Sequence, residues 1–237
     1  MCRHAAWLGA PRALASLLQD PAHGLCRQAY APRMQRCGTV NADGFGVGWY
    51  DPAAGPEPVR YRRGVPIWAD ANLPGLARAA RSGCLMAAVR SASPGMPIEE
   101  SATAPFAEGR WLLSHNGRVD RAAVRPLAGD RSPESPCDSA WLAAAVFARL
   151  GAGARPGAAA AEVVGLAGRA DPAARLNLLV CDGATIAATA WNETLFLHLG
   201  QGVLLASEPL DDRPGWEPVP DRHIVLATPD GARVQPL

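Results

Sequence analysis

The order of apolar runs constrains this chain more than any other feature: strand-like segments lie at both ends, with two helices between them. The C-terminal third carries four short apolar runs, Leu176–Cys181, Thr185–Trp191, Thr194–Leu199 and Val203–Ala206. Their connectors, Asp182-Gly183, Asn192-Glu193 and Gly200-Gln201-Gly202, suit tight reversals. They read as one antiparallel meander, with a further strand at His223–Ala227. In the N-terminal part, Met1–Leu8 reads as a strand and Pro11–Asp20 as helical. Asn41–Tyr50 is a glycine-punctuated turn entering a strand, with Val59–Arg63 as its hairpin partner. Trp68–Arg81 reads as a helix, Cys84–Val89 as a buried strand, Ser91–Pro105 as a loop and Arg110–Ser114 as a strand running into His115-Asn116-Gly117. Ser139–Leu150 and Ala158–Arg169 have helical patterning. Strands, helices and strands in that order predict two antiparallel sheets with helices outside, an α+β fold, and exclude a doubly wound parallel sheet.

A chain of 237 residues, 49% of them hydrophobic, can bury a sizeable core, and no repeat or linker divides it. One domain over 1–237 is the expectation. The net charge is +1 and all 23 basic residues are arginine, so no electrostatic feature calls for nucleic acid. The most apolar stretch, Ala140–Ala148, is too short to span a bilayer. Six cysteines (2, 26, 37, 84, 137 and 181) form no Cys-x-x-Cys pair, and no secretory leader pattern precedes Cys2. A reducing cytoplasm and no membrane association follow as expectations.

Cys2 stands directly behind the initiator Met1. Removal of Met1 would leave a thiol and a free α-amine on one residue, a nucleophile with its own base. His4, two residues on, would share its strand face and offers a second base, though the amine makes one unnecessary. Asn116-Gly117 has two readings: a tight turn, or a side-chain amide and a main-chain N–H converging on an oxyanion. Arg90 closes an apolar strand, where its planar fork suits a carboxylate or a structural ion pair. Asp138 stands at a helix start, as a cap or as an oxygen for a substrate ammonium. His115, beside Asn116, would face the other side of its strand. Gly44, Gly46 and Gly48 follow a Gly-x-Gly-x-Gly spacing with a strand after them, which excludes a dinucleotide loop. No residue spacing suggests a metal, and no cofactor is expected.

Taken together, these residues resemble the class II glutamine amidotransferases, a family of N-terminal-nucleophile hydrolases. The likeness rests on Cys-Arg-His (2–4), Asn-Ala-Asp-Gly-Phe-Gly-Val-Gly-Trp (41–49), Val-Arg-Ser-Ala-Ser (89–93), Ser-His-Asn-Gly-Arg-Val (114–119), Cys-Asp-Ser (137–139) and Ala-Ser-Glu-Pro (206–209). Within the family it is most similar to the stand-alone hydrolases of ergothioneine biosynthesis. The resemblance implies a four-layer αββα sandwich and a small γ-glutamyl substrate, γ-glutamyl hercynylcysteine S-oxide, from which glutamate is released. It implies that Cys2 attacks the γ-carbonyl to give a thioester that water resolves, with Asn116 and the Gly117 N–H holding the oxyanion. Arg90 and Ser93 would bind the glutamyl α-carboxylate and Asp138 the α-ammonium. General γ-glutamyl or glutamine hydrolysis, with or without a separate ammonia-accepting subunit, is the alternative.

Two departures from the family pattern stand out. Cys37 occupies the position before Gly38 where histidine is expected, and the Ser91–Pro105 loop lacks the Trp and His of glutamine-using synthases. Seven tryptophans against four Phe and three Tyr suggest an aromatic contact to the quaternary ammonium of a hercynyl group from Trp7, Trp49, Trp111 or Trp191. The oligomeric state is not legible.

Overall fold

A computed structural model describes residues 2–237. Strand β1 (Arg3–Ala13) leads into two single-turn helices, α1 (Ala15–Leu18) and α2 (Leu25–Gln28). A hairpin of β2 (Phe45–Trp49) and β3 (Val59–Arg63) follows, then α3 (Leu73–Ala79), β4 (Arg81–Val89), β5 (Phe106–Glu108) and β6 (Trp111–Arg118). The helical section comprises α4 (Arg121–Val124), α5 (Asp138–Gly151) and α6 (Pro156–Ala170). The chain closes with β7 (Arg175–Cys181), β8 (Ile186–Ala190), β9 (Phe196–Leu199), β10 (Gly202–Ala206), β11 (Trp216–Pro218), β12 (His223–Thr228) and β13 (Gly231–Pro236).

These strands form two antiparallel sheets. One has the order β11-β9-β10-β1-β4-β2-β3, the other β13-β12-β8-β7-β6-β5. Three apolar layers separate four structural ones. In β1, Ala6 and Leu8 pack between the sheets, whereas Ala5 and Trp7 pack under α1, α2 and α3. In β6 and β7, Leu112 and Leu179 face the other sheet, whereas Leu113, Leu178 and Val180 face α5 and α6. Side chains alternate along a strand, so a strand buried on both faces must be apolar at every position. That is why these strands read as continuous apolar runs. The result is the expected αββα sandwich. No helix among the described residues is long and apolar enough to cross a membrane.

The structure corrects several boundaries. The expected C-terminal meander is split between the sheets: β7 and β8 pair in one, β9 and β10 in the other. The chain crosses over at Asn192, which adopts φ 60°. The helix expected over Pro11–Asp20 is confined to Ala15–Leu18, because β1 bulges after Leu8 and resumes pairing, Arg12 with Ser82 and Ala13 with Arg81. The helix expected over Trp68–Arg81 is confined to Leu73–Ala79. Asp70 Oδ1 accepts the N–H groups of Asn72 and Leu73 at its start, and β4 claims Arg81 at its end. Asn116-Gly117 is not a turn: it lies inside β6, opposite Asn177 and Leu176 of β7.

Candidate active site

The site lies at one end of the sandwich, where β1 begins and β4 and β6 end. Arg3 of β1 pairs with Val89 of β4, which places Cys2 beside Arg90. The Cys2 thiol is half-buried and points its S–H at the Ser91 carbonyl, 3.9 Å away. Cys2 and Arg90 line one small pocket of ≈ 20 Å³, together with Thr103, Phe106, His115 and Ser139. Ser93 and Gly117 line an adjoining open cleft of ≈ 550 Å³, which also includes Ser91 and Cys37. The thiol therefore stands where a narrow pocket meets a wide cleft.

Arg90 is held from behind. Its Nη1 donates to the carbonyls of Pro97 (2.8 Å) and Asp43 (3.4 Å), while its main chain exchanges hydrogen bonds with Gly44 and Asp43. Asp43 Oδ2 in turn accepts the Ala92 N–H at 2.8 Å. These bonds lace the 41–44 turn to the 90–97 loop and leave the rest of the Arg90 fork, Nε and Nη2, to meet a carboxylate.

Asn116 is fully buried. Its Nδ2 donates to Ser207 Oγ at 3.2 Å, and Ser207 Oγ also accepts the His4 N–H at 3.0 Å. An amide nitrogen carries two hydrogens, so the bond to Ser207 fixes the Asn116 side chain and leaves one donor over. Asn116 Oδ1 has no partner among the described residues. His4, the alternative base, is buried and neutral: burial and then the charge of Arg3 hold its pKa well below the ordinary range. Its Nδ1 meets Ser114 Oγ at 3.1 Å, not Cys2.

Asp138 is the first residue of α5 rather than its cap, which is Cys137. Its Oδ2 accepts the Val119 N–H (3.1 Å) and its Oδ1 the Ser139 N–H (2.9 Å). Ser139 Oγ meets His115 Nδ1 at 2.9 Å, and His115 Nε2 donates to the Arg175 carbonyl at 2.9 Å. A carbonyl only accepts, so the proton sits on Nε2, and Nδ1 takes the Ser139 hydroxyl proton. Burial lowers the His115 pKa. His115 does face away from Asn116, yet it lines the Cys2 pocket. Cys2 and Arg90 thus share the pocket, Ser93 and Gly117 the cleft, and Asn116 and Asp138 lie buried behind the walls.

Sequence reasoning passes over a charged cluster under Cys2. Arg3 is completely buried; its Nε donates to the Cys2 carbonyl at 2.8 Å, and its Nη2 lies 3.7 Å from Glu193 Oε1. Desolvation pulls its pKa below the ordinary value, opposed by Glu193 and then Glu208. Glu208 accepts the N–H groups of Arg33 and Met34, and so ties down the loop that carries Cys37. The Arg3 side chain pins the Cys2 main chain, and Glu193 and Glu208 compensate its charge. The signal was present in Cys-Arg-His (2–4) and Ala-Ser-Glu-Pro (206–209), but nothing in one dimension joins them.

The tryptophan expectation is corrected. Among the described residues, no tryptophan lines the pocket or the cleft. Trp7 packs beneath the α1–α3 layer with Arg12 over its ring at 3.3 Å, and Trp191 packs in the α5–α6 core under Arg222.

Gly117 shows why glycine stands in β6. A Cβ there would lie 1.9 Å from the Arg175 carbonyl oxygen and 2.7 Å from His115 Nε2. Gly117→Ala must push β6 away from β7, and overpacking of that kind costs about 1–3 kcal/mol or more. A melting temperature lowered by several degrees, with activity lost, is the expected result; a wild-type melt would contradict the packing.

A two-sheet sandwich with a cysteine at the head of a central strand, an arginine closing its neighbour and an Asn-Gly pair at the end of a strand of the other sheet narrows the class. Residues 22–201 match the family model of glutamine amidotransferases class-II, and the chain belongs to that family. It is 53% identical over 238 residues to the gamma-glutamyl-hercynylcysteine sulfoxide hydrolase of Mycolicibacterium smegmatis, covering 100% of both chains. It is 50% identical over 242 residues to the protein of the same name from Mycobacterium tuberculosis, covering 100% of this chain and 97% of that one. Among solved structures, it resembles a glutamine aminotransferase class-II domain protein from Silicibacter pomeroyi (TM-score 0.69, 27% identity, 99% of each chain). Glutamine phosphoribosylpyrophosphate amidotransferase from B. subtilis shares the fold at TM-score 0.72 and 12% identity, over 100% of this chain and 49% of that one.

Proposed function

We propose that this protein is a γ-glutamyl amide hydrolase that releases glutamate from γ-glutamyl hercynylcysteine sulfoxide. The observation that carries this reading is identity of 50% or more, along the whole chain, to two proteins named for that reaction. The geometry supports it: the half-buried thiol of Cys2 lies between a small pocket that Arg90 lines and a cleft large enough for a bulky leaving amine.

In this reading Cys2, freed of Met1, transfers its thiol proton to its own α-amine, and Sγ attacks the γ-carbonyl carbon. The carbonyl electrons move onto oxygen, where the second Asn116 Nδ2 hydrogen and the Gly117 N–H stabilise them. Collapse of the intermediate breaks the C–N bond, and the α-ammonium returns the proton to the leaving amine. A γ-glutamyl thioester remains on Cys2. Water then adds to it through a second tetrahedral intermediate, giving up a proton to the α-amine, and glutamate departs as Cys2 is regenerated. Arg90 clamps the glutamyl α-carboxylate through Nε and Nη2, helped by the Ser93 hydroxyl. Asp138 keeps lone pairs beyond its two main-chain bonds to accept the α-ammonium. Neutral His4 and His115 add no competing positive charge.

Glutamate release from the sulfoxide and from glutamine, measured on protein whose mass shows Met1 removed, tests the reading. A kcat/KM for the sulfoxide at least about 100-fold above that for glutamine is expected, because the extra leaving group adds binding that ammonia lacks. Preference for glutamine would overturn it in favour of a glutaminase with an ammonia-accepting partner.

A further inference from the structure

The cleft beside Cys2 carries two arginines that the glutamyl half of the substrate does not use. Arg118 of β6 and Arg175 of β7 stand directly opposite each other across the strand pair. Neither forms an ion pair among the described residues. No carboxylate lines the cleft. Arg175 Nε is buried without a hydrogen-bond partner. Like charges directly opposite on neighbouring strands repel, and a buried donor without an acceptor is costly. A single anion lying between the two guanidinium groups offsets their repulsion.

The placement says where that anion belongs. Side chains alternate along a strand, so Arg118 projects on the same face of β6 as Asn116, two residues or about 7 Å along. Gly117, between them, belongs to the same cleft wall as Ser91, whose carbonyl receives the Cys2 S–H. The arginine pair therefore lies one pleat beyond the oxyanion donor, in the open cleft rather than in the glutamyl pocket. When the leaving amine is an amino acid, its α-carboxylate stands three bonds from the scissile carbonyl carbon, within reach of a guanidinium mounted at that position.

We propose that Arg118 and Arg175 form a subsite for a carboxylate on the leaving amine, and so select γ-glutamyl amides of amino acids over glutamine. This rests on the γ-glutamyl hydrolase reading and specifies its leaving-group side. Ammonia has no carboxylate, so glutamine gains nothing from the pair. An N-acylated cysteine residue supplies one directly; one guanidinium can bind it bidentately while the other donates to the remaining oxygen lone pairs.

The test uses γ-glutamylcysteine and its C-terminal amide, which differ only in that carboxylate. The wild-type protein is expected to favour the acid by about 10-fold or more in kcat/KM, the scale of a charge-assisted hydrogen bond. Arg118→Gln and Arg175→Gln should each bring this ratio toward one, chiefly by raising KM for the acid, and Arg118→Lys should restore part of it. Arg118 is exposed, so its substitution reports on binding even where loss of Arg175 disturbs the fold. Equal hydrolysis of acid and amide by the wild type, or an unchanged ratio in Arg118→Gln, would overturn the subsite and leave the hydrolase reading standing. Failure of the wild type to cleave any γ-glutamyl amide would overturn the hydrolase reading, and the subsite with it.

Discussion

Cys2→Ala is expected to lower glutamate release by roughly three orders of magnitude or more, because the acyl intermediate of the proposed mechanism forms on its thiol. His4, the alternative base, bonds away from Cys2 to Ser114 Oγ. The fold should survive. Cys2 is half-buried, and its thiol makes one weak contact to the Ser91 carbonyl, so a stability change within about 1 kcal/mol is expected. The informative comparison is activity beside a thermal melt. A folded Cys2→Ala protein retaining a tenth of wild-type turnover would place the nucleophile elsewhere.

Asn116→Ala should lower kcat by about 100- to 1,000-fold with a much smaller change in KM, since in the proposed mechanism the amide acts on charge that develops only as the γ-carbonyl is attacked. The same substitution is structurally mild. It removes the bond to Ser207 but also a buried oxygen that has no partner, two effects that oppose each other. A drop confined to KM would assign Asn116 to ground-state binding instead. An aspartate at this position would be worse than alanine, because it replaces a donor with a negative charge facing the oxyanion.

Much of the fold was legible because both faces of the central strands are buried. Apolar runs bounded by Gly, Asp and Pro locate β2, β4, β7, β8 and β12, β3 follows as the hairpin partner of β2, and α5 and α6 follow from helical periodicity. The strands that escaped notice are β5, β11 and β13. The first two have three residues each, and β13 is an exposed edge with Val234 40% accessible, so none carries a burial pattern. Alternation marks a strand without saying which sheet it joins, so the four C-terminal runs read as one meander although β9 and β10 pair in the other sheet. Beside the crossover at Asn192, Glu193 is buried against Arg3, a contact between residues far apart in sequence.

The site divides in the same way. Cys2 and Arg90 stand out as chemistry at the ends of apolar strands, and β1–β4 pairing brings them together. Asn116-Gly117 has the local signature of a turn, but pairing with β7 overrides it, so the motif's own sequence cannot decide between the readings. Arg3, Glu193, Ser207 and Glu208 support the site through contacts spanning most of the chain. Their shared role emerges only once β10 is laid beside β1.

The most direct test of Cys2 as an N-terminal nucleophile is mass spectrometry of the peptide bearing Cys2, after acid quench during turnover of γ-glutamyl hercynylcysteine sulfoxide. A γ-glutamyl group in thioester linkage on Cys2, in a peptide that begins with Cys2, is the expected result. Full activity from protein that still carries Met1, or the glutamyl group on any other residue, would contradict it.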